Sequence, residues 1–133
     1  MSVVRFGVSL EKELLDALDK FAHDNHFANR SQAIRQLIAN NLVESKWESN
    51  QPVAGAISLV YDHHKRDLSK NLTNIQHDYH DVILATQHFH FDHDNCLEII
   101  AVKGFSDQLM QLANKLIAIK GIQHGKLTMS STA

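Results

Sequence analysis

The chain has 133 residues and a formal net charge of −2, with 44% hydrophobic and 21% charged residues. That is room for one ordinary domain or two small ones; it excludes wholesale disorder and offers no strong basic footprint for nucleic acid. No apolar run approaches a membrane span, the start MSVVRFGVSL is too short and polar for a signal peptide, and a lone cysteine excludes an intramolecular disulfide, so a cytoplasmic protein is expected.

The first residues alternate. Val4, Phe6, Val8 and Leu10 interleave with Arg5, Gly7 and Ser9, the pattern of a half-buried strand. Leu14, Leu15, Leu18, Phe21 and Ala22 then mark one face of a helix. A second helix is expected from an N-cap at Ser31, with Ala33, Ile34, Leu37, Ile38 and Leu42 on its apolar side. One strand and two helices cannot complete a sheet or bury a core. Pairing the strand with a two-fold copy solves both problems and gives a ribbon-helix-helix dimer, whose ribbon fits the DNA major groove. Arg5, Gly7 and Ser9 would then face base edges.

Residues 46–54, around the only proline, Pro52, break the periodicity and read as a linker between domains at 1–45 and 55–133. The second domain reads β-α-β-β-α-β. A strand covers 56–61, and Leu68, Leu72, Ile75 and Tyr79 recur as a helix face. A strand over 81–91 turns at Asp92-His93-Asp94-Asn95 and returns over 96–103. Leu109, Leu112, Ala113 and Leu116 mark another helix, with Gly121 as its C-cap, and 123–129 close the order as a strand. This is the ferredoxin-like split βαβ pattern, and the whole chain is of the α+β class.

Histidine is the compositional outlier. Five of the ten histidines lie between His77 and His93, among them the run H-x10-H-x-H-x5-C formed by His77, His88, His90 and Cys96. Two histidines two apart on a strand share a face, and the hairpin brings Cys96 toward them. Imidazoles with a thiolate suit Ni, Cu or Zn and suit Mg or Ca poorly. His77 closes the preceding helix, and nothing in the spacing brings it to the same ion within one chain; packing of two such domains could supply it from a partner, and metal binding would then be linked to assembly. Taken singly, a core-facing histidine is usually structural and a lone cysteine a small buried hydrophobe; the combination is what points to metal. No nucleophile–base pair or phosphate loop suggests an enzyme.

With these residues in place, the chain resembles the nickel-responsive transcriptional regulators. RFGVSL, ANRSQAIRQLI, YDHHKRDL, the stretch from Ile75 to Gly104 and KGIQHGKL all resemble family segments. The resemblance implies a ribbon-helix-helix domain joined to an ACT-like domain that forms a tetramer, a dimer of dimers, with one Ni(II) per subunit and operator DNA as partner. It implies His88, His90 and Cys96 as same-chain ligands, His77 as a ligand donated across the interface, and Tyr61 and Glu98 as residues that orient the ligands. Lys65 and Arg66 resemble residues that touch DNA phosphates. Two features depart from the family pattern. Gln32 and Gln36 stand where carboxylates commonly help bind an additional cation, and Gly7 leaves a gap in the DNA-reading ribbon. The function implied is nickel-dependent repression of nickel uptake genes. The competing expectation is a metal-independent ribbon-helix-helix regulator whose ACT-like domain binds a small molecule.

Overall fold

The computed structural model describes residues 2–132, in two compact units divided after Asn41.

In the first unit, residues 2–11 precede α1 (Lys12–Asp24), which leads through a turn into α2 (Arg30–Glu48). The strand expected over residues 4–10 is not formed within one chain. A strand needs a neighbour for its N–H and C=O groups, and among the described residues no strand pairs with it. Val4, Phe6 and Val8 stay exposed, as do Leu14, Leu37 and Ile38 on the helices. A cleft of about 770 Å³ runs between the N-terminal segment and both helices, lined by Val4, Phe6, Val8, Leu15, Ile34 and Ile38 among others. Only small residues, Ala22 and Ala33, are buried here. Arg30 holds Asp19 through two hydrogen bonds of 2.8 and 3.0 Å. The N-cap of α2 is Asn29, not the expected Ser31. The Asn29 Oδ1 accepts from the N–H of Gln32, the third residue of the helix, at 2.9 Å, where an N-cap side chain reaches. Gln32 returns a carbonyl to the Ala28 N–H.

The expected linker at 46–54 is largely structured. The end of α2 occupies 46–48 and β1 (Pro52–Asp62) begins at Pro52, leaving three residues between them. Trp47 explains the difference. Its side chain is 2% exposed in the core of the second unit, its indole N–H donates to the Ser130 carbonyl at 3.0 Å, and its carbonyl accepts from Ser106 Oγ at 2.7 Å. Gly55 lies under the ring, where an added Cβ would come 2.5 Å from the Thr128 carbonyl oxygen and 3.3 Å from the indole. Asn50 and Gln51 continue the connection by accepting from the Asp107 and Ser106 N–H groups.

The second unit then follows the expected order: β1, α3 (Arg66–Asp78), β2 (Ile83–His90), β3 (Asn95–Phe105), α4 (Ser106–Ile117) and β4 (Ile122–Ser130). The strands form one antiparallel sheet in the order β2-β3-β1-β4. Strand alternation decides the core. Val53, Ile57, Leu59 and Tyr61 of β1 point to the helix side, as do Cys96, Glu98, Ile100 and Val102 of β3. Leu68 and Leu72 of α3 and Leu109, Leu112 and Leu116 of α4 close over them. The opposite face is open, with Phe89 and Ile99 exposed on it. In β2 the pairing slips between Ile83 and Ala85, which turns Leu84 outward, whereas simple alternation places it with Thr86 and His88. The helix α4 ends on Ala118; Gly121, expected as its cap, instead takes the positive φ of 105° needed by the turn into β4.

Candidate metal centre

The β2–β3 hairpin pairs His90 directly with Cys96 and His88 with Glu98. On the other side of β3, Tyr61 of β1 lies opposite Cys96. Side chains two apart share a face, so His88, His90, Cys96, Glu98 and Tyr61 stand on one face at one end of the sheet. The His88 Nδ1 lies 3.8 Å from the Cys96 sulfur, 3.4 Å from the Tyr61 hydroxyl and 3.4 Å from Glu98 Oε1. Cys96 is buried and has no disulfide partner, whereas His88 is largely exposed. The ring of His90 packs edge-on against His63, with centroids 5.5 Å apart.

Glu98 is the most deeply buried of these groups, at 1% exposed. A carboxyl there must be paired or hydrogen-bonded. Tyr61 donates to Oε1 at 2.5 Å, and the Gln76 amide donates to Oε2 at 2.6 Å. Thr86 Oγ in turn donates to the Gln76 carbonyl at 3.4 Å. Burial, then the hydrogen bond to Glu98 and its charge, push the Tyr61 phenol well above its usual range, so it stays a neutral donor. Gln76 was not singled out by spacing, yet a signal was present: with Leu68 and Leu72 it falls every fourth residue on the buried side of α3.

His77, the next residue, points away from this cluster. It is exposed and its ring stacks on His80, with centroids 6.0 Å apart. Within one chain the structure sets the His88 nitrogen near the Cys96 sulfur, places His90 opposite Cys96 in register with its ring against His63, and leaves His77 exposed beside His80. Lys65 and Arg66 are exposed at the start of α3, Lys65 as its N-cap residue. Arg5, Gly7 and Ser9 are exposed along the N-terminal segment, and a Cβ at Gly7 would meet nothing within 4 Å. Gln36 donates to Asn40 on the next turn of α2.

The donor set fits a late first-row ion. A nitrogen and a sulfur 3.8 Å apart can both reach one ion, given metal bonds of about 2.0 Å to nitrogen and about 2.3 Å to sulfur. The carboxylate beside the imidazole is the usual companion of a metal-binding histidine.

Residues 54–130 match the NikR C-terminal nickel-binding domain, and residues 4–45 match the copG-family ribbon-helix-helix protein. The chain belongs to the nickel-responsive regulator family. A protein named as a nickel-responsive regulator in Syntrophus aciditrophicus is 55% identical over 96% of this chain and 93% of its own length. One so named in Nitratidesulfovibrio vulgaris is 50% identical over 97% and 94%. An uncharacterised protein of Thermotoga maritima shares the fold of the second unit, with a TM-score of 0.54 at 15% identity over 59% of this chain and 98% of that one. This nickel-responsive regulator is thus an α+β protein with a ribbon-helix-helix domain followed by a nickel-binding domain of βαββαβ order, and it is a regulator, not an enzyme. No helix among the described residues is long and apolar enough to cross a membrane.

Proposed function

We propose that this regulator binds operator DNA when Ni(II) is bound and represses nickel uptake genes, acting as a homotetramer with one Ni(II) per subunit. The observation that carries the reading is the convergence of the His88 nitrogen on the Cys96 sulfur, with His90 in register across the hairpin. His88, His90 and Cys96 would hold the ion, and His77 of a second subunit would complete the set. When bound, Ni(II) supplies a Lewis-acidic centre that favours the thiolate over the thiol and accepts neutral imidazoles. Glu98 holds the orientation of His88, while Tyr61 and Gln76 hold Glu98.

The remaining assignments follow from unpartnered surface. The exposed apolar row Val4, Phe6 and Val8, with the cleft behind it, suits pairing with a second copy through residues 1–45. The resulting ribbon would present Arg5 and Ser9 to base edges, with Gly7 allowing close backbone approach. The open sheet face of residues 55–133 suits assembly of two such dimers. Lys65 and Arg66 would contact phosphates. Nickel acts by binding the DNA-competent arrangement better than the alternatives.

The test is selection of fragmented genomic DNA by the purified protein, with and without stoichiometric Ni(II), at fixed salt. Nickel-dependent enrichment of a palindromic site near transport genes is expected. Equal enrichment in both conditions would contradict the metal-dependent reading in favour of a metal-independent regulator.

A further inference from the structure

The division between the two units falls after Asn41, inside the continuous helix α2 (Arg30–Glu48). Burial along this helix comes in two separate patches. Near its start Ala33 is buried and Ile34 half-buried. Near its end Trp47 is buried in the core of the second unit, and Val43 packs against that core. Between Ile34 and Val43 every residue is exposed except Ala39, which is half-buried.

The end of the helix is fastened from several directions. The Trp47 indole donates to the Ser130 carbonyl, and Ser106 Oγ donates to the Trp47 carbonyl. Lys46 Nζ donates to the Thr132 carbonyl at 3.3 Å. The connection that follows is held as well: the Asp107 N–H donates to Asn50 Oδ1 at 3.1 Å, and the Ser106 N–H to the Gln51 carbonyl at 3.0 Å. Its own amides are spent too, Ser49 on the Ser45 carbonyl and Gln51 on the Lys46 carbonyl, both at 3.1 Å.

The middle of the helix lacks such support. Asn40, Asn41 and Leu42 are all exposed. A helical turn with no tertiary packing is marginal in water. Asn is also a weaker helix former than Ala or Leu, because its short amide competes for backbone groups. The Gln36 amide bonded to Asn40 Oδ1 at 2.8 Å gives one weak side-chain support across the turn. Local opening follows packing, so α2 opens first where nothing covers it.

We propose that the joint between the two units is the turn of α2 around Asn40, Asn41 and Leu42. Residues 46–51, most of the expected linker, then move as part of the second unit. Bending at that turn reorients the first unit while Trp47 stays in its seat. The non-helical residues 49–51 do not act as the hinge.

The test is hydrogen–deuterium exchange of the full-length, metal-free protein, read by mass spectrometry with fragmentation to single amides. The amides of residues 40–42 and 47–48 are all helical, so the comparison isolates packing. Corrected for intrinsic rates, residues 40–42 should exchange about tenfold faster than 47–51. Asn41→Ala, a better helix former, should slow residues 40–42 alone. Trp47→Phe keeps a ring in the core but loses the indole donor; it should speed exchange at 47–51 and leave 40–42 as they were. Exchange at 47–51 as fast as at 40–42, or faster, in the wild type would overturn the proposal. So would a Trp47→Phe variant in which both stretches speed up together, since the seat and the middle turn would then open as one.

Discussion

Gln76, the residue immediately before His77 on α3, donates a 2.6 Å hydrogen bond to the buried carboxyl of Glu98 on β3. It connects the helix that presents His77 outward to the strand that carries Cys96. One amide thus fixes the end of α3 relative to the hairpin while satisfying an oxygen that burial has removed from water. Gln76→Leu should leave that oxygen unpaired and destabilise the fold by about 1–3 kcal/mol. Denaturant unfolding of the metal-free protein checks this, and an unchanged midpoint would show that water replaces the amide without loss.

Tyr61 makes stability depend on pH at the alkaline end. Its phenol usually titrates near 10.0, and burial with the Glu98 hydrogen bond raises it further in the folded chain. The folded state therefore keeps a proton that the unfolded state releases. The contribution is full below pH 10 and is lost as pH rises from there toward the folded value. Stability should fall above pH 10 in the wild type. In Tyr61→Phe that slope should flatten, and phenolate absorbance from Tyr61 should appear only as the chain unfolds.

Gly55 is required by the seat of Trp47. Gly55→Ala would place a methyl 2.5 Å from the Thr128 carbonyl oxygen, which is backbone and cannot swing away. A loss of about 1–3 kcal/mol is expected from overpacking. A red shift of the Trp47 fluorescence under native conditions would report the displaced ring, since it is the only tryptophan.

Two kinds of DNA contact separate by their salt dependence. Arg5→Ala should cost about 1–3 kcal/mol of operator affinity and relax the preference at one base. Lys65→Ala should weaken binding across sequences and lower the salt slope by about one. Binding isotherms at several salt concentrations distinguish the two, and a sequence-specific defect in Lys65→Ala would contradict its assignment.

The periodic parts of this fold were readable in the chain. Leu68, Leu72 and Ile75 repeat at helical spacing because one face of α3 lies on the sheet, and the turn at Asp92–Asn95 made a hairpin with Cys96 near His90 the natural reading. What escaped were features fixed by distant partners. Lys46, Glu48 and Ser49 look like linker, yet α2 persists through Glu48 because Trp47 bonds to Ser130, far along the chain. The slip at Leu84 comes from pairing with β3, which alternation within β2 does not reveal. Gln76 reaches Glu98 from 22 positions away, so its spacing with Leu68 and Leu72 marks its face of α3 but not its partner. The N-terminal alternation was plain, but among the described residues no strand pairs with it.

The central claim is that His88, His90 and Cys96 of one subunit and His77 of another hold a single nickel ion. Co-expressing His77→Ala subunits with Cys96→Ala subunits tests it directly, because each variant alone lacks one ligand at every site. The account predicts that mixed oligomers regain the nickel–thiolate absorption band and nickel-dependent DNA binding at the sites where one intact triad meets one intact His77. Mixed oligomers in which both signals stay as low as in either variant alone would contradict it.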